Sequence, residues 1–266
     1  MSLYLRRAHQ PDAQGRCLTA GLPGQRDGLG HIGLEAFALQ PGQAVSRSTG
    51  RLETGLVLLS GTGLIEAADL HAEIGGRRSP FEGPGHSVYL PPGAAWRFTP
   101  ASACELALCH AAVPPGAAPP PPRVIMPGAV RCSTRGAGDN ERFIRDLLPE
   151  TEPAAAMLLV EVITPGGHWS SFPPHKHDTA GPDETALEEI YYHRFRRPGG
   201  FGFQRIYDHA GLDEALPLTD GAAVLVPRGY HPVSAAPGCD LYYLNIMAGP
   251  ERRWQISTDP CFAIAR

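Results

Sequence analysis

Histidines two residues apart are the clearest candidates for metal chemistry in this chain. His175 and His177 flank Lys176, and because alternate side chains of a β-strand project to the same face, both histidines can bind one ion while the lysine points away. His231 follows a turn-forming Pro-Arg-Gly sequence and provides a third imidazole. Imidazole suits Zn, Mn, Fe, Ni and Cu, so these residues predict a divalent metal site without selecting the ion.

A carboxylate between these histidines is the expected fourth ligand. The strand-like segment 187–192 contains the adjacent residues Glu188 and Glu189. Neighbouring side chains of a strand point to opposite faces, so only one of the two can face the interior of a barrel. The spacing alone leaves the choice between them open.

The elements that must position these residues are short strands. The 31 glycines and 28 prolines are spread between short apolar runs, which is typical of an all-β protein with many turns. Residues 85–93 (GHSVYLPPG) and 221–229 (GAAVLVPRG) share the pattern Gly, five residues, Pro, one residue, Gly. This recurrence predicts two copies of one β-domain, and therefore an all-β fold with two barrels.

A proline-rich segment, 113–130, separates the two halves. Prolines 119–122 have no amide hydrogen to donate to a sheet, so the segment predicts a semi-rigid linker, or alternatively a surface loop of one domain. We therefore expect an N-terminal barrel over 1–112 and a C-terminal barrel over 131–266. At 140–148 the apolar spacing favours a short amphipathic helix, with an irregular strand entering the second barrel as the alternative.

Composition excludes several classes of protein. Hydrophobic residues make up 42% of the 266 residues and charged residues 19%, as in soluble globular proteins. The net charge of −4 offers no basic surface to nucleic acid. No segment approaches the roughly 18 apolar residues of a membrane span, and the N-terminus does not resemble a signal peptide. Six scattered cysteines indicate reduced thiols, so we expect a cytoplasmic protein.

The His-x-His pair, the following glutamate and the Gly-Pro-Gly segment with its histidine resemble the two conserved motifs of the cupin superfamily. The resemblance implies a jelly-roll barrel in which His175, His177, one glutamate and His231 converge on one metal ion. This chain departs from the pattern in two ways. Residues 179–187 (TAGPDETAL) lengthen the gap before the glutamate, and His231 comes one position early.

The first half of the chain lacks the ligand set that the cupin motifs require. Residues 46–49 read Ser-Arg-Ser-Thr where a metal-binding cupin has His-x-His. Ala95 and Trp96 occupy the place of the third histidine after Gly93. We therefore expect one catalytic barrel and one structural barrel.

A closer resemblance covers nearly the whole chain and is to the 5-deoxy-glucuronate isomerases of bacterial inositol catabolism, bicupins related to 5-keto-4-deoxyuronate isomerase. The similar segments are RGAGDNERFIRDLLP (135–149), SFPPHKHD (171–178), LEEIYYHRF (187–195), GFGFQRIYD (200–208), VLVPRGYHPV (224–233) and YYLNIMAGPERRW (242–254). In the related uronate isomerase the metal-binding glutamate begins a Glu-x-Tyr segment. Glu189 fits that pattern and Glu188 does not, so the resemblance selects Glu189 as the ligand.

The resemblance implies a metal-dependent aldose–ketose isomerase that converts 5-deoxy-glucuronate to 5-dehydro-2-deoxy-gluconate. Zinc is the first choice of ion, with Mn, Fe, Ni or Co as alternatives. Tyr191 shares the strand face of Glu189, where it is either a proton-transfer group or a packed core tyrosine. Arg228 is either the partner of the substrate carboxylate or a solvated turn residue. His193 lies further along the same strand face and is a candidate supporting group.

Two other functions fit the same four ligands. One is a different metal-dependent cupin enzyme, such as an Fe(II) dioxygenase acting on a small organic acid. The other is a sugar-acid-binding bicupin without turnover. In each case the expected partner is a small sugar acid or organic acid, not nucleic acid or a membrane, and homo-oligomerisation is left open.

Overall fold

The computed structural model describes residues 2–24 and 29–262, and its regular structure is nearly all β-strand. The first half forms β1 (Tyr4–Leu5), β2 (Arg16–Ala20), β3 (Ile32–Leu39), β4 (Val45–Ser48), β5 (Leu52–Ser60), β6 (Thr62–Ala67), β7 (Leu70–Gly75), β8 (Ser87–Leu90), β9 (Ala95–Pro100), β10 (Cys104–Ala112) and β11 (Arg123–Ile125). The second half forms β12 (Arg131–Arg135), β13 (Arg142–Leu148), β14 (Leu158–Thr164), β15 (Trp169–Ser170), β16 (His175–Lys176), β17 (Glu188–Phe195), β18 (Gly202–Tyr207), β19 (Asp213–Leu218), β20 (Ala223–Val226), β21 (Val233–Ala235), β22 (Leu241–Ala248) and β23 (Ser257–Thr258).

Helical structure in the described residues is limited to 3₁₀ turns. These turns are Pro80–Glu82, Pro127–Ala129, Gly138–Asn140 and Pro260–Phe262. Within residues 2–24 and 29–262, no helix has the length and apolar character needed to cross a membrane.

Each half of the chain builds one large and one small antiparallel sheet. The first barrel has the strand orders β11-β8-β5-β10-β3-β2 and β4-β9-β6-β7. The second has β1-β20-β17-β22-β14-β13-β12 and β15-β21-β18-β19, and β16 pairs with β23 beside them. The repeated Gly-Pro-Gly segments place β8 and β20 at the same position in the two large sheets. The all-β fold with two barrels is confirmed.

Two short strands at the edges of the large sheets lie outside the domain range of the barrel that they join. Strand β1 pairs with β20 of the second barrel, with Tyr4 opposite Val224. Strand β11, inside the segment predicted as a linker, pairs with β8 of the first barrel. The domain ranges 1–112, 113–130 and 131–266 stay a prediction. Strands β1 and β11 form pairings that cross the boundaries between these ranges.

The prediction of a helix at 140–148 is wrong, and the alternative prediction of a strand entering the second barrel is confirmed. Residues Arg142–Leu148 form β13, which pairs with β12 on one side and β14 on the other. Tertiary pairing overrides the helical spacing because a strand at this place buries Ile144, Leu147 and Leu148.

A buried apolar cluster joins the large sheets of the two barrels. It brings Val57 and Leu59 of β5 together with Ile190 and Tyr192 of β17. Separate clusters fill the interior of each barrel. Strand β17 is therefore covered on both faces, with its even-numbered residues toward the first barrel and its odd-numbered residues inside the second.

Candidate metal centre

Three imidazoles meet inside the second barrel. His175 lies on β16, which pairs with β23, and His177 follows that strand directly. His231 lies beyond the turn after β20. One ring nitrogen of each histidine lies within 4.8 Å of the corresponding atoms of the other two. The structure thus brings together the three histidines predicted from the sequence.

Glu189 completes this group from the neighbouring strand β17. Its Oε2 lies 3.0 Å from Nε2 of His177 and 2.9 Å from Nε2 of His231. The side-chain amide of Asn245, on β22, donates a hydrogen bond to Oε1 of the same carboxylate. Glu189 is only 3% exposed, so it is a buried carboxylate aimed at the imidazoles.

Glu188 points the opposite way and serves the contact between the barrels. Its Oε1 accepts a hydrogen bond of 2.9 Å from the amide of Gly30, and its Oε2 accepts one of 2.6 Å from the amide of His31. This geometry agrees with Glu189 as the ligand.

Backbone carbonyls orient two of the three imidazoles. Nδ1 of His177 lies 3.1 Å from the carbonyl oxygen of Leu187, and Nδ1 of His231 lies 2.8 Å from that of Gly229. A carbonyl only accepts, so Nδ1 carries the proton and Nε2 faces the centre of the site. This arrangement is typical of metal-binding histidines.

A divalent cation fits the atoms present. Nε2 of His231 is buried and has no hydrogen-bond partner within residues 2–24 and 29–262, although Glu189 lies close to it. A buried nitrogen without a partner is costly unless something else binds it. Three imidazole nitrogens and one carboxylate form a donor set suited to zinc and to other divalent transition metals.

The electrostatics favour the protonation states that bind metal. Burial and the neighbouring imidazoles of His231 and His177 lower the pKa of His175 to about 3. Burial raises the pKa of Glu189, but the imidazoles of His231 and His177 outweigh it and hold that pKa well below its usual value. The site therefore contains a carboxylate and at least one neutral imidazole.

His177 is in direct contact with the carboxylate of Glu189. Burial lowers the pKa of His177, but its contact with Glu189 raises it, with a net rise. A divalent cation held by His175, His177, Glu189 and His231 would supply positive charge beside this carboxylate and would bind the deprotonated Nε2 atoms.

The residues inserted between His177 and Glu189 fold into a loop tied to β16. Nζ of Lys176 lies 2.6 Å from the carboxylate of Asp178 and 2.8 Å from that of Glu184. Glu184 also accepts hydrogen bonds from the amides of Asp178 and Thr179. The longer gap before the glutamate is thus absorbed by this loop, and Lys176 points away from the ligands as predicted.

A cavity of about 460 Å³ opens beside the ligands. Its wall includes His175 and Glu189 from the ligand set, together with residues of β12, β13, β14 and β22. Tyr243, a further candidate from the sequence, also lines it, as do four side chains that the sequence interpretation did not assign: Arg135, Arg142, Asn245 and Trp254. The segments 135–149 and 242–254, which carry the family resemblance, were the available signal for them.

Tyr191 lies in the wall of this cavity, on the strand face predicted for it. Its hydroxyl lies 3.1 Å from Oγ of Ser171, and its ring centroid is 4.9 Å from that of Tyr243. Burial, reinforced by the charge of Glu189, raises the pKa of Tyr191 well above its ordinary value. The phenol is therefore protonated and can donate a hydrogen bond into the cavity.

Arg228 and His193 lie away from the cavity wall. Nε of Arg228 pairs with Oδ2 of Asp208 at 2.9 Å, and 60% of the arginine side chain is exposed. The role assigned to Arg228 stays a prediction that this placement does not support. His193 is fully buried behind Tyr191, with the two rings stacked at a centroid distance of 5.9 Å.

The corresponding place in the first barrel has a different chemistry. Strand register puts Thr54 opposite Leu90 in the first barrel and Glu189 opposite Val226 in the second, so Thr54 takes the place of the glutamate. The pocket at Thr54 is lined partly by Trp96.

Known proteins resemble this chain along its full length. The sequence profile of the KduI/IolB family matches residues 4–264. The 5-deoxy-glucuronate isomerase of Geobacillus thermodenitrificans is 43% identical over 264 residues, which cover 98% of this chain and 94% of that protein. The 5-deoxy-glucuronate isomerase of Bacillus licheniformis is 37% identical over 268 residues, which cover 98% of this chain and 97% of that protein.

Solved structures agree with this likeness. The crystal structure of an IolB-like protein from Salmonella typhimurium LT2 has a TM-score of 0.93 at 39% identity, covering 99% of this chain and 98% of that chain. The oxalate decarboxylase of Lactobacillus farciminis, as a formate complex, has a TM-score of 0.67 at 14% identity, covering 97% and 88%. The oxalate decarboxylase of Bacillus subtilis, which has Mn(II) centres, has a TM-score of 0.66 at 11% identity, covering 97% and 79%. The two decarboxylases bear on the fold alone, and they confirm two tandem cupin-type barrels.

Proposed function

This chain belongs to the KduI/IolB family, and from that membership we propose that it is a metal-dependent aldose–ketose isomerase converting 5-deoxy-glucuronate to 5-dehydro-2-deoxy-gluconate in inositol catabolism. The observation that carries the proposal is the 43% identity, over 98% of the chain, to a protein named 5-deoxy-glucuronate isomerase. The convergence of His175, His177, Glu189 and His231 on one point supports its metal dependence.

The reaction requires three steps at adjacent carbons. The proton next to the aldehyde is removed, the resulting enediolate is stabilised, and a proton is returned to the former carbonyl carbon. A divalent ion held by the four ligands supplies Lewis-acid polarisation of the carbonyl and its neighbouring hydroxyl. Zinc is the first choice on this donor set, with Mn, Fe, Ni or Co as alternatives.

Tyr191 is the proposed proton-transfer group. Its buried hydroxyl is held by Ser171 and faces the cavity next to the proposed ligand Glu189. In that position it donates a hydrogen bond to a substrate oxygen and holds a proton within reach of the reacting carbons. Arg228 is left out of the site because its charge is paired with Asp208.

Two buried tyrosines form the part of the cavity wall beside the proposed ligands. Tyr243 packs against Tyr191, and both side chains are at most 4% exposed. Hydrogen bonds to a developing oxyanion are stronger in such a site than in water. The proposal includes a cytoplasmic location and is compatible with either a monomer or a homo-oligomer.

The test is conversion of 5-deoxy-glucuronate by the metal-loaded protein, followed by NMR in D₂O. We expect the ketone to appear with the wild type and not with His177→Ala, and deuterium at the new CH₂OH group to indicate an enediol. No conversion with Zn, Mn, Fe, Co or Ni would contradict the substrate assignment. Oxygen consumption by the iron-loaded protein would instead indicate the dioxygenase alternative.

A further inference from the structure

Two arginines stand directly opposite each other in the cavity wall. Arg135 ends β12 and Arg142 begins β13, and the two are cross-strand partners in this antiparallel pair. Both line the cavity that contains His175 and Glu189. Like charges directly opposite on neighbouring strands destabilise a sheet, so this pairing calls for a compensating anion.

No carboxylate of the described residues supplies that compensation. Nη1 of Arg142 donates to the backbone carbonyl of Asn140 at 3.0 Å, and the guanidinium of Arg135 lies 5.1 Å from the ring centroid of Trp254. Neither arginine forms an ion pair within residues 2–24 and 29–262. Burial lowers the pKa of Arg142, Tyr243 opposes this, and the charge of Arg135 lowers it further, with a net decrease.

A third arginine in the same wall shows the contrasting situation. Arg131, also on β12, lies 2.6 Å from the carboxylate of Asp146. Its charge is therefore already matched within the protein. Arg135 and Arg142 are the two cavity arginines that have no ion pair among the described residues, although the carboxylate of Glu150 lines the same wall and accepts a hydrogen bond from the amide of Trp254.

The turn between the two strands holds this pair in place. Gly136 has a φ of +78°, and a Cβ added there would collide with Asn140 and with Nη1 of Arg142. Oδ1 of Asn140 accepts a hydrogen bond of 2.7 Å from the amide of Ala137. The turn therefore helps to position the guanidinium of Arg142, whereas that of Arg135 packs on Trp254.

Trp254 connects this pair to the ligand set. Its ring stacks under the guanidinium of Arg135 and meets the imidazole of His175 edge-on at a centroid distance of 6.4 Å. The arginine pair and the proposed metal ligands His175 and Glu189 thus line one continuous cavity, with Trp254 between them.

We propose that Arg135 and Arg142 bind the carboxylate of the substrate and make the cavity selective for sugar acids over neutral sugars. The inference rests on the proposed function for the identity of the substrate, but the arginine pair predicts a carboxylate ligand by itself. Guanidinium groups recognise carboxylates through paired, charge-assisted hydrogen bonds.

Calorimetric titration of the zinc-loaded protein with glucuronate and with glucuronamide tests this subsite. The two ligands differ only at the terminal group, where a neutral amide replaces the carboxylate and an N–H donor replaces one acceptor oxygen. We expect the wild type to prefer glucuronate by about tenfold or more, and Arg135→Gln and Arg142→Gln to lose that preference by weakening glucuronate alone. Arg142→Lys keeps the positive charge but loses the planar pair of N–H donors, so its preference for glucuronate should lie between those of the wild type and Arg142→Gln.

Arg131→Gln is the matched control, because it removes a cavity arginine whose charge is already paired. We expect it to keep the preference, and circular dichroism of all variants checks that they are folded. Equal binding of the two ligands, no binding of glucuronate, or an equal loss in Arg131→Gln would overturn the proposal. A carboxylate preference without turnover of 5-deoxy-glucuronate would overturn the proposed function and leave this subsite standing.

Discussion

Glu188 and Glu189 are adjacent in the chain but point to opposite faces of β17. Glu189 faces the imidazoles inside the second barrel, whereas Glu188 accepts two backbone amides of the first barrel, from Gly30 and His31. Because successive side chains of a strand point to opposite faces, one of these neighbours is a proposed metal ligand and the other forms a contact between the barrels.

The first prediction uses this pair of residues. Glu189→Gln replaces a charged oxygen ligand by a weaker neutral donor, so we expect loss of most of the bound metal after dialysis and loss of isomerase activity. Elemental analysis by mass spectrometry gives the metal per chain. Glu188→Gln is the matched control and should retain the metal of the wild type. Equal metal content in the two variants would contradict the assignment of Glu189.

The second prediction concerns a buried ion pair between the barrels. The guanidinium of Arg77, in the first barrel, lies 2.6 Å from the carboxylate of Glu161 on β14, and neither side chain is more than 6% exposed. Arg77→Met leaves a buried carboxylate with less compensation, so we expect the free energy of unfolding to fall by about 3 kcal/mol or more. Urea denaturation measures the change.

Arg78 provides the control for this variant. Its side chain is 90% exposed and pairs with Glu82 on the surface. Arg78→Met should leave the urea midpoint unchanged, since exposed pairs contribute little. A similar loss in both variants would show that the buried pair does not hold the barrels together.

The third prediction is a pH dependence of stability from Glu35. Burial raises the pKa of Glu35, but hydrogen bonding to His110 and the charge of Arg47 lower it by more, so the net change is a decrease. The pKa of Glu35 is lower in the folded protein than in the unfolded chain, where it is about 4.3. The ionised carboxylate therefore stabilises the fold at pH values above about 4.3, and this stabilisation is lost as the pH falls through the folded-state pKa.

Glu35→Gln should therefore be less stable than the wild type at pH 7, and the difference should shrink below about pH 4.3. Urea midpoints of both proteins at pH 7, 5, 4 and 3 measure it. A difference that stays constant over this range would show that ionisation of Glu35 contributes nothing.

The fourth prediction concerns the turn that positions the paired arginines. Gly136→Ala forces a side chain into a left-handed conformation and against Asn140. We expect a rise of the KM for 5-deoxy-glucuronate with a smaller change of kcat, because carboxylate binding is disturbed more than the chemistry. Steady-state kinetics measure both constants.

Gly128 is the control glycine, since an added Cβ there meets nothing within 4 Å. Gly128→Ala should leave the KM unchanged. A fall of kcat at constant KM in Gly136→Ala would argue against the role of the turn in binding.

The sequence alone determined the all-β fold, the two barrels and the three histidines that meet at the candidate metal centre. These features depend on local signals: glycine and proline at turns, alternation along strands, and histidines spaced by two residues. The family resemblance selected Glu189 over Glu188, a choice that alternation by itself left open. These features can be predicted from the sequence because the geometry of a strand alone decides to which face each of its side chains points.

Tertiary structure decided which residues line the cavity. Arg135 and Arg142 become neighbours only through the pairing of β12 with β13, and the helical spacing at 140–148 concealed that strand. Arg228 lies within the Pro-Arg-Gly turn before His231, but its exposed side chain forms an ion pair with Asp208. Contacts across strands depend on register and on competing partners, neither of which is encoded in the spacing of a single segment.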